Sequence, residues 1–141
     1  NNLRYVEKNS KITFADKSIT DSIKSDLKGI YQKHNIKTAV QAVRELNKRN
    51  IKISRSNIKS GLLKVIENTK LLGRWQQLQS KPDVFCDTAH NKEGLVYVLK
   101  QLKEQEFKQL HIVLGFVKDK NLEGIIKLFP LDATYYFCQP N

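Results

Sequence analysis

Apolar positions along the chain change their period from one stretch to the next, and each change predicts an element. Residues 11–15, Lys-Ile-Thr-Phe-Ala, alternate polar and apolar as a half-buried strand does, with Arg4 to Val6 as a shorter partner. From Tyr31 to about Lys48, Ile36, Ala39, Val40, Val43 and Leu46 recur at the three-and-four spacing of one helical face. Asn50 ends this helix, and Ser54 offers a side-chain oxygen to cap a second one through Ile58, Leu62, Val65 and Ile66. After Leu72 the pattern becomes strand-rich. Gly73 to Gln76 lead an extended stretch to Pro82, and Val84-Phe85-Cys86 reads as an apolar strand. Asn91 to Glu104 puts Leu95, Val98, Leu99 and Leu102 on one helical face, Leu110 to Val117 suits a central strand, and Leu122 to Phe129 is helical again. A last strand covers Tyr135 to Cys138. The alternation predicts an α/β fold whose later strands run parallel, because helical crossovers of this length return the chain in the same direction.

Composition narrows the class. With 40% apolar and 28% charged residues, six glycines and three prolines, the 141-residue chain has the make-up of a globular domain. No apolar run approaches the roughly 20 residues that a membrane span needs. The chain contains no methionine, so residue 1 is expected to be a processed or excised start, and the chain is expected to be a piece of something longer. Cys86 and Cys138 both sit in apolar strand-like runs, where a free thiol behaves as a small hydrophobe, and a reducing cytoplasmic setting is expected.

Net charge is +11 and uneven. Residues 1–72 hold 16 Lys/Arg against 6 Asp/Glu, whereas residues 73–141 are close to neutral. This places a boundary near residue 72. A basic first half is compatible with nucleic acid or an anionic small molecule, but its lysines are scattered rather than grouped in an aromatic-interleaved stripe, which favours a solvated surface.

In a parallel α/β unit, ligands gather beyond the carboxyl ends of strands. Two segments have that placement, Asp87-Thr88-Ala89-His90-Asn91 and Gly115 to Lys120. Asp87 or Thr88 suits a helix cap, and Asp87 equally suits hydrogen bonds from a ribose. His90 falls in the expected first helical turn. Arg74, after the flexible Gly73, offers a fixed positive charge suited to phosphate, and the Asn35 amide can both donate to and accept from an adenine edge. Trp75 reads as a core or interface residue. No spacing of His, Cys, Asp and Glu supports zinc, and there is neither a Gly-x-x-x-x-Gly-Lys-Ser/Thr loop nor a Gly-x-Gly-x-x-Gly, so the chain lacks a phosphate cradle of its own.

Taken together, Leu27-Lys-Gly-Ile-Tyr-Gln-Lys-His-Asn35, Gly73-Arg-Trp-Gln76, Asp87-Thr-Ala-His-Asn91, Gly115 to Lys120 and the tail Tyr135-Tyr-Phe-Cys-Gln-Pro140 resemble the folylpolyglutamate synthase and dihydrofolate synthase family, relatives of the muramyl ligases. The resemblance implies that residues 1–72 are the end of a P-loop-type ATPase (central) domain. Residues 73–141 would then be the first part of a Rossmann-like C-terminal domain with a mainly parallel sheet, beyond a hinge near Lys70 to Gly73. It implies an ATP- and Mg2+-dependent ligase that adds L-glutamate to dihydropteroate or folate through an acyl phosphate, in a cytoplasmic and monomeric parent. By the same resemblance Asn35, Arg74 and Asp87 contact ATP at adenine, phosphates and ribose, and His90 lies on the glutamate or interdomain side. Tyr31 stands where many relatives have histidine. The P-loop and the magnesium ligands fall outside this sequence, so the piece alone is expected to be inactive and, having lost partners for its apolar faces, prone to self-association. The alternatives are a muramyl-type cell-wall amino-acid ligase and a basic nucleic-acid-binding α/β module.

Overall fold

The computed structural model describes residues 4–8, 11–15, 22–116 and 122–138, and the chain divides into two compact units, residues 1–87 and 88–141. Of the segments singled out above, Val117 to Lys120 and Gln139-Pro140 lie outside the described residues.

The first unit opens with three antiparallel strands in sequential order, β1 (Arg4–Lys8), β2 (Lys11–Ala15) and β3 (Ser22–Lys24), with Arg4 opposite Ala15 and Lys11 opposite Lys24. Helix α1 (Gln32–Lys48) follows the predicted span and buries Ile36 and Val40. Asn50 then turns the chain with φ 65°, a left-handed conformation that asparagine tolerates better than most residues. Ser54 caps α2 (Arg55–Leu63), its hydroxyl oxygen accepting the Asn57 N–H at 3.1 Å.

The second helix expected from the sequence is interrupted. It breaks at Lys64, and α3 (Val65–Thr69) starts afresh. The cause is tertiary: the Asp26 carboxylate accepts the N–H of Val65 at 3.1 Å and of Ile66 at 2.8 Å. An acceptor brought from nearly 40 residues upstream satisfies donors that a continuous helix would have bonded internally.

Between α3 and the next strand the backbone adopts positive φ at Lys70 (55°), Gly73 (65°) and Trp75 (50°). Glycine does this freely; the other two are held against their own Cβ sterics. The stretch up to Pro82 proves to be one arm of a hairpin, β4 (Gln76–Ser80) pairing antiparallel with β5 (Asp83–Cys86), with a cis Lys81–Pro82 bond in the turn. The strand that carries Val84 to Cys86 is therefore paired antiparallel rather than parallel, because so short a connection can only reverse the chain.

In the second unit, α4 (Lys92–Lys103) buries Leu95 and Leu99. Its cap is Asn91, whose Oδ1 accepts the Gly94 N–H at 2.8 Å, and neither Asp87 nor Thr88 fills that role. His90 accordingly precedes the helix instead of lying in its first turn. Strands β6 (His111–Gly115) and β7 (Thr134–Cys138) form the parallel pair the alternation predicts, His111 opposite Thr134 and Gly115 opposite Cys138. A Cβ at Gly115 would lie 2.9 Å from Cys138 Sγ, so this close pairing requires glycine. Helix α5 (Glu123–Ile126), between them, buries Ile125 and leaves Ile126 exposed. It is shorter than expected, since Leu128 and Phe129 donate to carbonyls three residues back and tighten the chain out of α-helix. Among the described residues parallel pairing is confined to β6 and β7, and the α/β class stands with smaller sheets than the sequence suggested.

Candidate functional site

Three of the four residues singled out from the sequence fall in one connected cluster of the first unit. Asp87 follows β5 and is partly buried. Its Oδ2 accepts two hydrogen bonds of 2.7 Å, one from the Tyr31 hydroxyl and one from the Trp75 N–H. A single carboxylate oxygen thus ties the start of α1 to the connector that carries Arg74. Gln32, next to Tyr31, is 2% exposed, and its Oε1 accepts from Asn35 Nδ2 at 2.9 Å. The result is a relay of two adjacent pairs, Asn35 with Gln32 and Tyr31 with Asp87.

Arg74 sits beside this relay. Its guanidinium donates to the Gly73 carbonyl at 3.4 Å, and its charge is felt at the Tyr31 oxygen. The connector is braced further by the Gln76 side chain, whose Oε1 accepts the Gly73 N–H at 2.9 Å. Trp75 is 6% exposed and stacks on Phe85 at 5.0 Å, the core role its sequence context suggested. His90 belongs to the other unit. It is exposed, with Nδ1 3.1 Å from the Thr88 carbonyl.

Sequence reasoning named Tyr31 only as a departure from the family's histidine and passed over Gln32. The signal for Gln32 is nevertheless present, since Gln32, Ile36 and Val40 share the spacing of the buried face, and a glutamine on such a face needs hydrogen-bond partners. Tyr31 gives no local signal, because its partner is 56 residues away.

The Tyr31 phenol is pushed well above its ordinary value, first by burial, then by the hydrogen bond it donates to Asp87 and by that carboxylate's charge; Arg74 and Gln32 oppose the shift. A group whose folded pKa is raised contributes stability that is complete below its unfolded value, about 10 for tyrosine, and disappears as pH climbs beyond it. The melting temperature of the chain is therefore expected to fall as pH rises above about 10, and Tyr31→Phe should flatten part of that fall. An identical alkaline slope in Tyr31→Phe counts against the contact.

Chemically, the cluster offers an amide, a carboxylate and a guanidinium, held by a relay anchored on a buried glutamine and a partly buried tyrosine. That set can accept from hydroxyls, pair with a heterocycle edge and neutralise an anion. Among the described residues no group of three His, Cys, Asp or Glu is placed to hold a metal ion.

Residues 73–141 match the family model described as Mur ligase, glutamate ligase domain. The chain is 32% identical over 109 residues, or 76% of its length, to a dihydrofolate synthase/folylpolyglutamate synthase of Bacillus subtilis, and covers 24% of that protein. It is 30% identical over 114 residues to a probable dihydrofolate synthetase of Schizosaccharomyces pombe, covering 77% of this chain and 26% of that one. The chain thus spans about a quarter of the length of these curated relatives. Among solved structures, the folylpolyglutamate synthetase of Lactobacillus casei superposes with a TM-score of 0.66 at 19% identity, covering 95% of this chain and 33% of that one. A folylpolyglutamate synthase complex with AMPPCP and folate gives 0.67 at 18% identity, covering 89% and 30%. The chain carries part of a Mur ligase glutamate ligase domain over residues 73–141 and is a homologue of the dihydrofolate and folylpolyglutamate synthases.

Proposed function

We propose that the chain is part of an ATP-dependent ligase that adds L-glutamate to the carboxylate of a dihydropteroate or folate, and that Asn35, Arg74 and Asp87 form its share of the ATP site. The observation that carries this reading is the Asp87 carboxylate, fixed by Tyr31 and by the Trp75 N–H on the connector that carries Arg74, in a chain homologous to folate-glutamate ligases. In this reading the Asn35 amide meets the adenine edge, Asp87 accepts from ribose hydroxyls, and Arg74 neutralises phosphate charge. ATP transfers its terminal phosphoryl group to the acceptor carboxylate, leaving ADP and an acyl phosphate. The amine of glutamate then attacks the acyl carbon and phosphate departs. Shielding the acyl phosphate from water is the task of a closing active site.

In this reading the magnesium ligands lie mostly outside this sequence. The domain division follows the same reading: residues 1–72 as the end of the ATPase domain, residues 73–141 as the start of the C-terminal domain, and His90 toward the glutamate side. No helix among the described residues is long and apolar enough to cross a membrane, and a cytoplasmic site of action fits the substrates.

The test is ADP release by a full-length ligase carrying this sequence. It is expected to require a pteroate or folate acceptor together with glutamate. The 141-residue chain alone, lacking a phosphate loop, is expected to release none. Release that depends on a UDP-muramyl acceptor instead, or amide formation by the isolated chain, would overturn the assignment.

A further inference from the structure

We infer that Tyr31 is a positioning residue of the nucleotide site, holding the Asp87 carboxylate in one fixed arrangement beside Arg74. The inference rests on the nucleotide reading proposed above and adds to it a residue that touches no ligand.

Three observations carry it. Tyr31 occupies the N-cap position of α1, yet its side chain makes no capping hydrogen bond. Its hydroxyl is spent across 56 residues of sequence on Asp87, at 2.7 Å. The ring has a prepared seat, since a Cβ at Gly29 would lie 2.8 Å from Tyr31 Cε1, so only glycine at position 29 leaves room for it. Without the hydroxyl, Asp87 keeps the Trp75 N–H but loses its link to α1. The carboxylate would then have to be ordered by the ligand at the moment of binding, which weakens binding without removing any ligand contact.

A tyrosine that merely fastens the fold would affect every ligand alike, so the test compares two. ATP and inorganic triphosphate are titrated by calorimetry into a full-length ligase carrying this sequence. Tyr31→Phe is expected to weaken ATP binding roughly tenfold, the scale of one charge-assisted hydrogen bond, while triphosphate, held by Arg74, binds as before. Tyr31→His, which restores a donor, should recover most of the loss. Unchanged ATP affinity in Tyr31→Phe overturns the inference and leaves the nucleotide reading intact. So does an equal loss for both ligands together with a lowered melting temperature, which would mark Tyr31 as structural. Unchanged ATP binding by a full-length ligase in which both Asn35 and Asp87 are alanine overturns the nucleotide reading, and this inference falls with it.

Discussion

Arg74→Ala in a full-length ligase carrying this sequence is expected to lower kcat/KM by about a thousandfold, close to 4 kcal/mol of transition-state stabilisation. Charge on the phosphoryl oxygens grows during transfer, and a guanidinium fixed on a braced connector meets it without reorganising. The bracing is visible on both sides of the residue, in the Gly73 N–H donated to Gln76 Oε1 and the Trp75 N–H donated to Asp87. Arg74 itself is only partly buried, and its hydrogen bond to the Gly73 carbonyl is long at 3.4 Å, so its removal should cost about 1 kcal/mol of stability or less. Steady-state kinetics together with a denaturant titration separate the two quantities. Wild-type turnover in Arg74→Ala removes the residue from the site, and a collapse of stability makes its role structural. Arg74→Lys is expected to recover only a fraction of the rate, since an ammonium cannot offer the planar two-pronged donor.

Trp75→Ala is expected to cost about 3–5 kcal/mol, the range for truncating a buried aromatic. A domain of this size has on the order of 5–15 kcal/mol in total, so the substitution brings the first unit to the edge of unfolding. Few residues share the load. In that unit the described buried apolar side chains are Ile36, Val40 and Trp75, and Trp75 also stacks on Phe85 at the base of the hairpin. Its φ of 50° adds roughly 1–2 kcal/mol of backbone strain, which the N–H donated to Asp87 helps to offset. Alanine keeps the strain and loses the packing. Urea unfolding followed by circular dichroism measures the change, and a loss under about 1 kcal/mol would show that the ring is dispensable to the core. Trp75→Phe, which retains a ring against Phe85, should recover more than half.

Much of the architecture was legible because it is periodic. The three-and-four spacing of Ile36 and Val40 marks α1, that of Leu95 and Leu99 marks α4, and Ser54 announces the start of α2. These are decisions between near neighbours, made by patterns a few residues long. The hairpin β4–β5 was not legible, since Gln76 to Ser80 is polar and mostly exposed and carries no clear strand alternation. Nor was the break at Lys64, which depends on Asp26 reaching two amides far along the chain.

The same division runs through the candidate site. Residue types alone said only that amide, guanidinium and carboxylate functions are available at Asn35, Arg74 and Asp87, and the family resemblance gave them ATP-contact roles. How their segments are tied was decided only by tertiary structure. Tyr31 meets Asp87 across 56 positions, and Gln32 pairs with Asn35 on a face of α1 that packing buries. Periodicity reports what a residue does to its helix or strand, whereas a hydrogen bond between distant segments exists only once both elements have packed.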